Sequence, residues 1–176
     1  MSLRQPLQKS YPDPEPIREG NPGDGRQSFL LVRAAPRVCA IPVSSVVETM
    51  RPLPIQAVQG MPEYVAGVAI IRGQTVPVVR LATLLGDSGA AVLGRLVSIR
   101  VDGRQVALGV EAVIGVRRFD PSAVRSMPPL LQNAASEVIA GIGSVDGELL
   151  LVLQASRLLP ADTCDELDGH QDELRS

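Results

Sequence analysis

Short apolar runs recur along residues 28–160, and turn residues separate them. Six runs are rich in aliphatic or β-branched side chains and several alternate with polar positions, which is the pattern of β-strands. Two other apolar stretches, 42–50 and 108–117, are less regular and fit either short helical turns or bent strands. Six or more closely spaced strands predict a barrel or a sandwich. The six predicted strands cover 28–33, 37–43, 75–81, 95–101, 104–110 and 148–154.

Two Asp-Gly pairs, Asp102-Gly103 and Asp146-Gly147, lie between neighbouring apolar runs. They predict tight hairpins, because a type I′ turn needs positive φ at both of its central residues. Together with Gly73, these four residues are the predicted structural turn positions. Short helices are predicted in three places, over 80–86, 120–126 and 155–160.

The second half of this region repeats the first. Residues 29–51 align with 96–118 at an offset of 67, and residues 65–85 align with 139–159 at an offset of 74. The alternative is a chance similarity between two sets of aliphatic strands. A true repeat is favoured because the series Ala-Gly-x5-Gly-x4-Val-x5-Leu-Leu occurs in both 65–85 and 139–159. Each copy is too small to bury much surface alone, so the two are expected to share a core.

Polar residues that occur in only one copy are candidates for function rather than for folding. Arg72 is aligned with Asp146, and Glu48 is aligned with Gly115. The pair Arg72-Gly73 fits two interpretations. It is either a plain hairpin turn with a solvated arginine, or a rigid turn that holds the arginine for a partner.

The chain of 176 residues divides by composition into three parts. Residues 1–27 hold five prolines and three glycines and predict a disordered arm, with a short polyproline ligand at 12–16 as the alternative. Residues 28–160 carry twelve arginines and nine acidic residues, in two repeats of about 28–86 and 94–160. Arginine there suits planar interface contacts, unless it reflects the codon usage of the genome. Residues 161–176 form an acidic tail with six acidic residues and one basic residue.

The composition also weighs against several classes of function. The chain has two Phe, two Tyr and no Trp, so it lacks the aromatic side chains on which single-stranded bases stack. Cys39, Cys164 and His170 are too scattered to form a metal cluster or a Cys–His nucleophile. No acidic pair is placed for acid–base catalysis, so we expect no enzyme, no cofactor and no metal. A small-barrel RNA-binding module stays as the alternative of a different class.

The N-terminal segment has no apolar run that would form a signal peptide, and no stretch of eighteen apolar residues occurs. We therefore expect a cytoplasmic protein without direct insertion into a membrane.

Residues 67–79, GVAIIRGQTVPVV, are similar to the G-V-x-N-L-R-G-x-x-x-P-V-x-D-L signature of the CheW family, adaptors that couple chemoreceptors to a histidine kinase. Three further segments resemble family segments in the same order, at 41–48, 106–116 and 138–143. The resemblance covers about 28–160. It implies a mainly all-β fold of two intertwined five-stranded SH3-like barrels with a few short helices, and no catalysis.

The resemblance also implies two partners, the cytoplasmic tip of a methyl-accepting chemoreceptor and the regulatory domain of a CheA-type histidine kinase, with recruitment to membrane-associated receptor arrays. It implies no nucleic acid partner. Carried over by position, the receptor groove would contain apolar contacts from two valines, a glycine that permits close approach, and a polar pair that sets register. These residues are Val46, Val116, Gly67, Glu48 and Arg72.

The sequence departs from the family pattern at three places. Arg80 stands where the signature has Asp, and Ile70-Ile71 stands where it has Asn-Leu. Pro42 occupies a position where a strand residue is expected. These departures keep a second hypothesis open, a CheW-like scaffold of a non-motility chemosensory pathway with a divergent partner.

Overall fold

The computed structural model describes residues 25–90, 92–127, 137–159 and 163. Within them the chain forms ten strands, the short α-helix α1 (Leu81–Leu84) and the 3-10 turns Val43–Ser45, Pro121–Ala123 and Ala155–Arg157. The strands are β1 (Gln27–Ala34), β2 (Arg37–Pro42), β3 (Val46–Met50), β4 (Val65–Ile71), β5 (Gln74–Arg80), β6 (Arg95–Val101), β7 (Arg104–Val110), β8 (Ala112–Phe119), β9 (Ile139–Val145) and β10 (Glu148–Leu153). Most of the predicted arm and, apart from Thr163, the predicted tail lie outside the described residues.

The strands form two five-stranded sheets. The first sheet has the order β8-β1-β2-β10-β9, and the second has the order β3-β6-β7-β5-β4. Neighbouring strands run antiparallel except for β2 beside β10 and β5 beside β7, which run parallel. The expected all-β fold is thereby confirmed.

The order of strands in the two sheets reflects the internal repeat. Strands β1 to β5 correspond in sequence to β6 to β10, and the strand order of one sheet becomes that of the other under this exchange. Each sheet takes two strands from one copy and three from the other. The parallel contacts are equivalent too, since Ala40 stands opposite Val152 and Ala107 opposite Val78. Neither copy can complete a sheet alone, so the two copies are intertwined.

Three apolar clusters explain the aliphatic composition. The largest lies between the sheets and uses residues of both, whereas two smaller clusters fill the inner side of each sheet. On β1, Leu30 and Val32 face the central cluster, while Phe29 and Leu31 face the inside of the first sheet. Because both faces of such strands are buried, they read as continuous apolar runs. Phe119 stacks on Phe29 with ring centroids 4.2 Å apart.

The observed strands match the six predicted runs to within about one residue at each end. The ambiguous stretch 42–50 contains a 3-10 turn followed by β3, and 108–117 contains the end of β7 and most of β8. The predicted helices were too long: 80–86 reduces to four helical residues, and 120–126 and 155–160 reduce to single 3-10 turns. Since each of these segments has little more than one turn of apolar residues to bury, it cannot sustain a longer helix.

Two strands outside the six predicted runs, β4 and β9, are rich in glycine and alanine because another segment crosses them. A Cβ atom at Gly67 would overlap the carbonyl oxygen of Gln56, which belongs to a β-bridge with Val68. A Cβ atom at the equivalent Gly141 would lie 2.7 Å from the carbonyl oxygen of Arg125. The close crossing thus requires glycine in both copies.

Candidate functional site

The carboxylate of Glu48 and the guanidinium of Arg72 form a bidentate ion pair. Nε of Arg72 lies 2.8 Å from Oε1 of Glu48, and Nη2 lies 2.8 Å from Oε2. Two parallel N–H···O bonds fix the plane of the guanidinium as well as its position. The structure therefore brings together the two polar residues that the sequence proposed for one site.

Arg72 is the first residue of the two-residue turn between β4 and β5. Its φ is 50° and that of Gly73 is 79°, the positive values that a type I′ turn needs. Asp102-Gly103 and Asp146-Gly147 adopt the same geometry, with φ of 47° and 81° in the first pair and 51° and 80° in the second. Asp tolerates positive φ better than Arg does, so the backbone conformation at position 72 does not itself favour arginine.

Glu48 lies on β3, at the opposite edge of the same sheet from β4. The ion pair therefore joins the two edges of the second sheet and closes this barrel at one end. The hydrogen bonds from Arg72 lower the pKa of Glu48, and the same bonds raise the pKa of Arg72. Glu48 is the more sheltered partner, with its side chain 24% exposed against 78% for Arg72. The cation is thus held from one side and open to solvent on the other.

The second copy cannot form this pair, because Gly115 and Asp146 occupy the equivalent positions. The first sheet has a different ion pair, between Nη2 of Arg33 on β1 and Oε2 of Glu148 on β10, at 3.3 Å. Each barrel thus has its own ion pair, and the arginine at the hairpin tip is particular to one of them.

The remaining predicted site residues lie in different surroundings. Val46 is on β3, one bulge away from Glu48, and is half-buried against the central cluster. Val116 is on β8 of the first sheet and is 54% exposed. Gly67 is buried under the backbone of Gln56, so its close approach is to the chain itself. The ion pair includes none of these three residues, and their part in a receptor groove stays a prediction.

Sequence reasoning missed the exposed apolar side chains that flank the pair. Ile70 precedes Ile71-Arg72 on β4 and is 62% exposed, and Val47 beside Glu48 is 44% exposed. Ile114 on β8, the repeat equivalent of Val47, is 46% exposed. The matching of Val47 and Ile114 in the two copies was the available signal, since both strands are sheet edges.

Arg80, which stands in place of the signature Asp, occupies the residue before α1. Its backbone N–H donates to the carbonyl of Tyr64 at 2.7 Å, and its Nη1 donates to the carbonyl of Glu63 at 3.2 Å. An arginine cannot accept a hydrogen bond from the first turn of a helix, and α1 has no side-chain cap. Arg80 therefore ties β5 to the segment before β4 instead of capping the helix.

Cys39 is fully buried, and burial raises the pKa of its thiol to about 12. A thiol in that state is a poor nucleophile, because the thiolate is the reactive form. Cys164 and His170 lie outside the described residues. Within the described part of the chain, no three His, Cys, Asp or Glu residues are grouped as metal ligands. No helix in that part is long and apolar enough to cross a membrane.

The family model described as a CheW-like domain matches residues 28–163. The chain belongs to the CheW-like family. It is 30% identical to Protein FrzA of Myxococcus xanthus over 137 residues, which are 76% of this chain and 85% of FrzA. It is 22% identical to the Chemotaxis protein CheW of Klebsiella aerogenes over 138 residues, 77% of this chain and 83% of that protein.

The fold is also similar to a solved member of this CheW-like family. The scaffolding protein TtCheW from Thermoanaerobacter tengcongensis superposes with a TM-score of 0.68 at 20% sequence identity, over 78% of this chain and 95% of that chain. At this identity the likeness concerns the fold alone, and with the two intertwined five-stranded sheets it confirms the expected pair of SH3-like barrels.

Proposed function

We propose that this protein is a non-enzymatic adaptor of a chemosensory complex, which couples a chemoreceptor to the regulatory domain of a CheA-type histidine kinase. The observation that carries the proposal is the CheW-like domain across 28–163, together with an exposed arginine that Glu48 holds rigidly at the end of one barrel. In this role the protein would be cytoplasmic and recruited to membrane-associated receptor arrays.

The Glu48–Arg72 pair suits recognition of a protein surface. A guanidinium has five N–H donors, and Glu48 takes two of them. The others face away from Glu48 and can donate to backbone carbonyls or a carboxylate of the partner. Because the ion pair fixes the side chain beforehand, less rotamer entropy is lost on binding. Ile70 and Val47 provide exposed apolar surface beside this polar centre.

We propose that the receptor groove lies between the two barrels, and the topology supports this placement. Val46 lies on β3 and Val116 lies on β8, which are equivalent strands at the edges of different sheets. A groove between the two barrels would have one of these strands on each side, and a helical hairpin is an elongated partner that fits such a groove. For the kinase domain we propose the exposed apolar edge of the second barrel.

A specific observation favours the second hypothesis, a CheW-like scaffold of a non-motility pathway. The exposed Ile70 and the reversed charge of Arg80 both fall within the signature segment. These residues would fit a partner with a different surface, which would still bind in the same mode.

Titration of the purified full chain with the CheA-type kinase regulatory domains and the receptor cytoplasmic hairpins of its own genome tests the proposal. We expect Arg72→Glu to weaken binding to one of these partners by about tenfold or more, the size of an interface hot spot. The matched control is Arg100→Glu, an exposed arginine on β6 in the other copy, which should bind as the wild type does. Absence of binding to every kinase domain of that genome would refute the adaptor role.

A further inference from the structure

The two barrels differ in polarity at four equivalent positions, two of which form the ion pair. Ser98 stands opposite Glu48 in the second sheet. The equivalent Leu31 stands opposite Gly115 in the first sheet, so the backbone register supports the alignment. The four positions hold Glu48, Arg72, Ser98 and Gln105 in the second barrel, and Gly115, Asp146, Leu31 and Val38 in the first. Two further polar residues thus accompany the ion pair in the barrel that has it.

Ser98 and Gln105 bond to each other on the inner side of the second sheet. Ser98, on β6, is fully buried and shares a face of its strand with Leu96, which belongs to the inner cluster. Gln105, on β7, is half-buried and shares a face with Ala107 of the same cluster. Nε2 of Gln105 donates to Oγ of Ser98 at 2.6 Å. A buried hydroxyl and an amide are thus paired within an apolar interior.

Glu48 is the neighbour of this hydrogen bond on β3. Residues directly opposite each other in an antiparallel pair share a face of the sheet, with Cβ atoms roughly 4.5–5.5 Å apart, and Ser98 has Glu48 in this place. On its other side Ser98 stands opposite Ala107, whose side chain is apolar. Because Gln105 donates to Oγ, the hydroxyl hydrogen of Ser98 points away from that amide. The ionised carboxylate of Glu48 attracts it.

The first barrel shows that the fold itself does not need these polar groups. Leu31 and Val38, at the equivalent positions, are 1% and 4% exposed within the inner cluster of the first sheet. Burial of a hydroxyl and an amide has a desolvation cost that apolar side chains avoid, and the net contribution of the hydrogen bond between them is modest. Ser98 and Gln105 are therefore better explained by their place beside Glu48 than by packing.

We propose that Ser98 and Gln105 are positioning residues for Arg72. Gln105 orients the Ser98 hydroxyl, and this hydroxyl holds the Glu48 carboxylate from the inner side of the sheet. The carboxylate in turn fixes the guanidinium of Arg72 through its two hydrogen bonds. Since Ser98 has no exposed surface, it acts through Glu48 and does not touch a partner. That the fixed arginine meets a partner is the one step that rests on the proposed function.

Hydrogen exchange at Nε of Arg72, followed by NMR on the full chain, tests this positioning without a partner. An N–H in a persistent hydrogen bond exchanges slowly with water. In Ser98→Ala/Gln105→Val we expect exchange to be about fivefold faster, the size of one hydrogen bond's net contribution. Stability should stay near that of the wild type, because both bonding partners are removed together. Ser98→Ala alone, in which the half-buried Gln105 can turn to solvent, should change the exchange in the same direction without repacking.

The matched control is Val106→Ala, next to Gln105 on β7 but facing the central cluster. It should lower stability and leave the exchange of Arg72 unchanged. In the Glu48→Gln background, the double replacement should have no further effect on that exchange, since the positioning acts through Glu48. Three results would overturn the proposal: wild-type exchange in the doubly replaced chain, an equal effect of Val106→Ala, or a full additional effect in the Glu48→Gln background.

Partner affinity gives a second readout. The double replacement should weaken binding of the kinase or receptor domain by about the same factor as it speeds exchange at Arg72, and it should add nothing in the Arg72→Glu chain. Faster exchange with wild-type affinity would overturn the link between positioning and recognition. Absence of binding by the wild type would refute the adaptor role alone, because exchange at Arg72 is measured on the isolated chain.

Discussion

Arg72, at the tip of the β4–β5 hairpin, reaches across its barrel to Glu48 on β3, the strand at the opposite edge of the same sheet. The contact is bidentate, with both N···O distances at 2.8 Å. It links edge strands that share no backbone hydrogen bonds in the sheet order. A single side-chain pair thus fixes the barrel end and the direction in which the arginine faces solvent.

The contribution of the Glu48–Arg72 pair to folding should be visible in the way that stability falls at acid pH. Because the pKa of folded Glu48 lies below its usual 4.5, the pair contributes stability that is fully present above the unfolded pKa and is lost as pH falls through the folded pKa. Glu48→Gln should therefore remove part of the decline in stability below about pH 4.5. Urea unfolding of wild type and variant from pH 7 downward measures this.

The matched control for that experiment is Glu148→Gln, whose carboxylate meets Arg33 at 3.3 Å in a single contact. At pH 7 its stability should stay close to that of the wild type, because an exposed pair with one N···O contact contributes little to folding. Parallel profiles for wild type and Glu48→Gln would show that the bidentate pair does not act on folding.

Replacing Arg72 by glycine should separate binding from stability. Glycine adopts positive φ without steric cost, so in Arg72→Gly the relief of the backbone at the turn offsets the loss of the ion pair. We expect the folding equilibrium constant to stay near the wild-type value while affinity for the kinase or receptor domain falls at least tenfold. A variant that unfolds markedly more easily would instead make Arg72 a structural residue.

The sequence predicted the features that depend on local residue patterns and not those that depend on contacts between distant segments. Period-two patterns and Asp-Gly pairs located most of the strands and two of the turns, because these are local properties. The crossing of Gln56 over Gly67 was not visible in the sequence, since it depends on the path of a segment eleven residues upstream. The Glu48–Arg72 contact was approached only through the repeat and the family pattern, because its partners lie on strands that are distant in the sheet.

Substitution of Gly67 tests whether this residue supports the fold or contacts a partner. Gly67→Ala should destabilise the protein by about 1–3 kcal/mol, the range for added volume in a packed interior, because the new Cβ meets the backbone of Gln56. Gly141→Ala should behave alike, since its Cβ meets the carbonyl of Arg125. Chemical denaturation measures both.

The control is Gly89→Ala, where the added Cβ lies 3.2 Å from a side-chain oxygen of Asp87 and the residue is exposed. That change should be nearly neutral. If Gly67→Ala keeps full stability but loses partner binding, position 67 belongs to the contact surface instead.

Cys39 should react with thiol reagents only when the protein unfolds. Burial keeps its thiol protonated, with a pKa of about 12 against a usual 9.0, and the thiolate is the nucleophile. In a Cys164→Ser chain, the rate of alkylation should therefore follow the unfolding equilibrium across a urea titration. Because the unfolded thiol ionises first, stability should also fall as pH rises from 9 toward 12, and this fall should vanish in Cys39→Ala. Fast labelling of the folded Cys164→Ser chain at neutral pH would show that the core around Cys39 opens on its own.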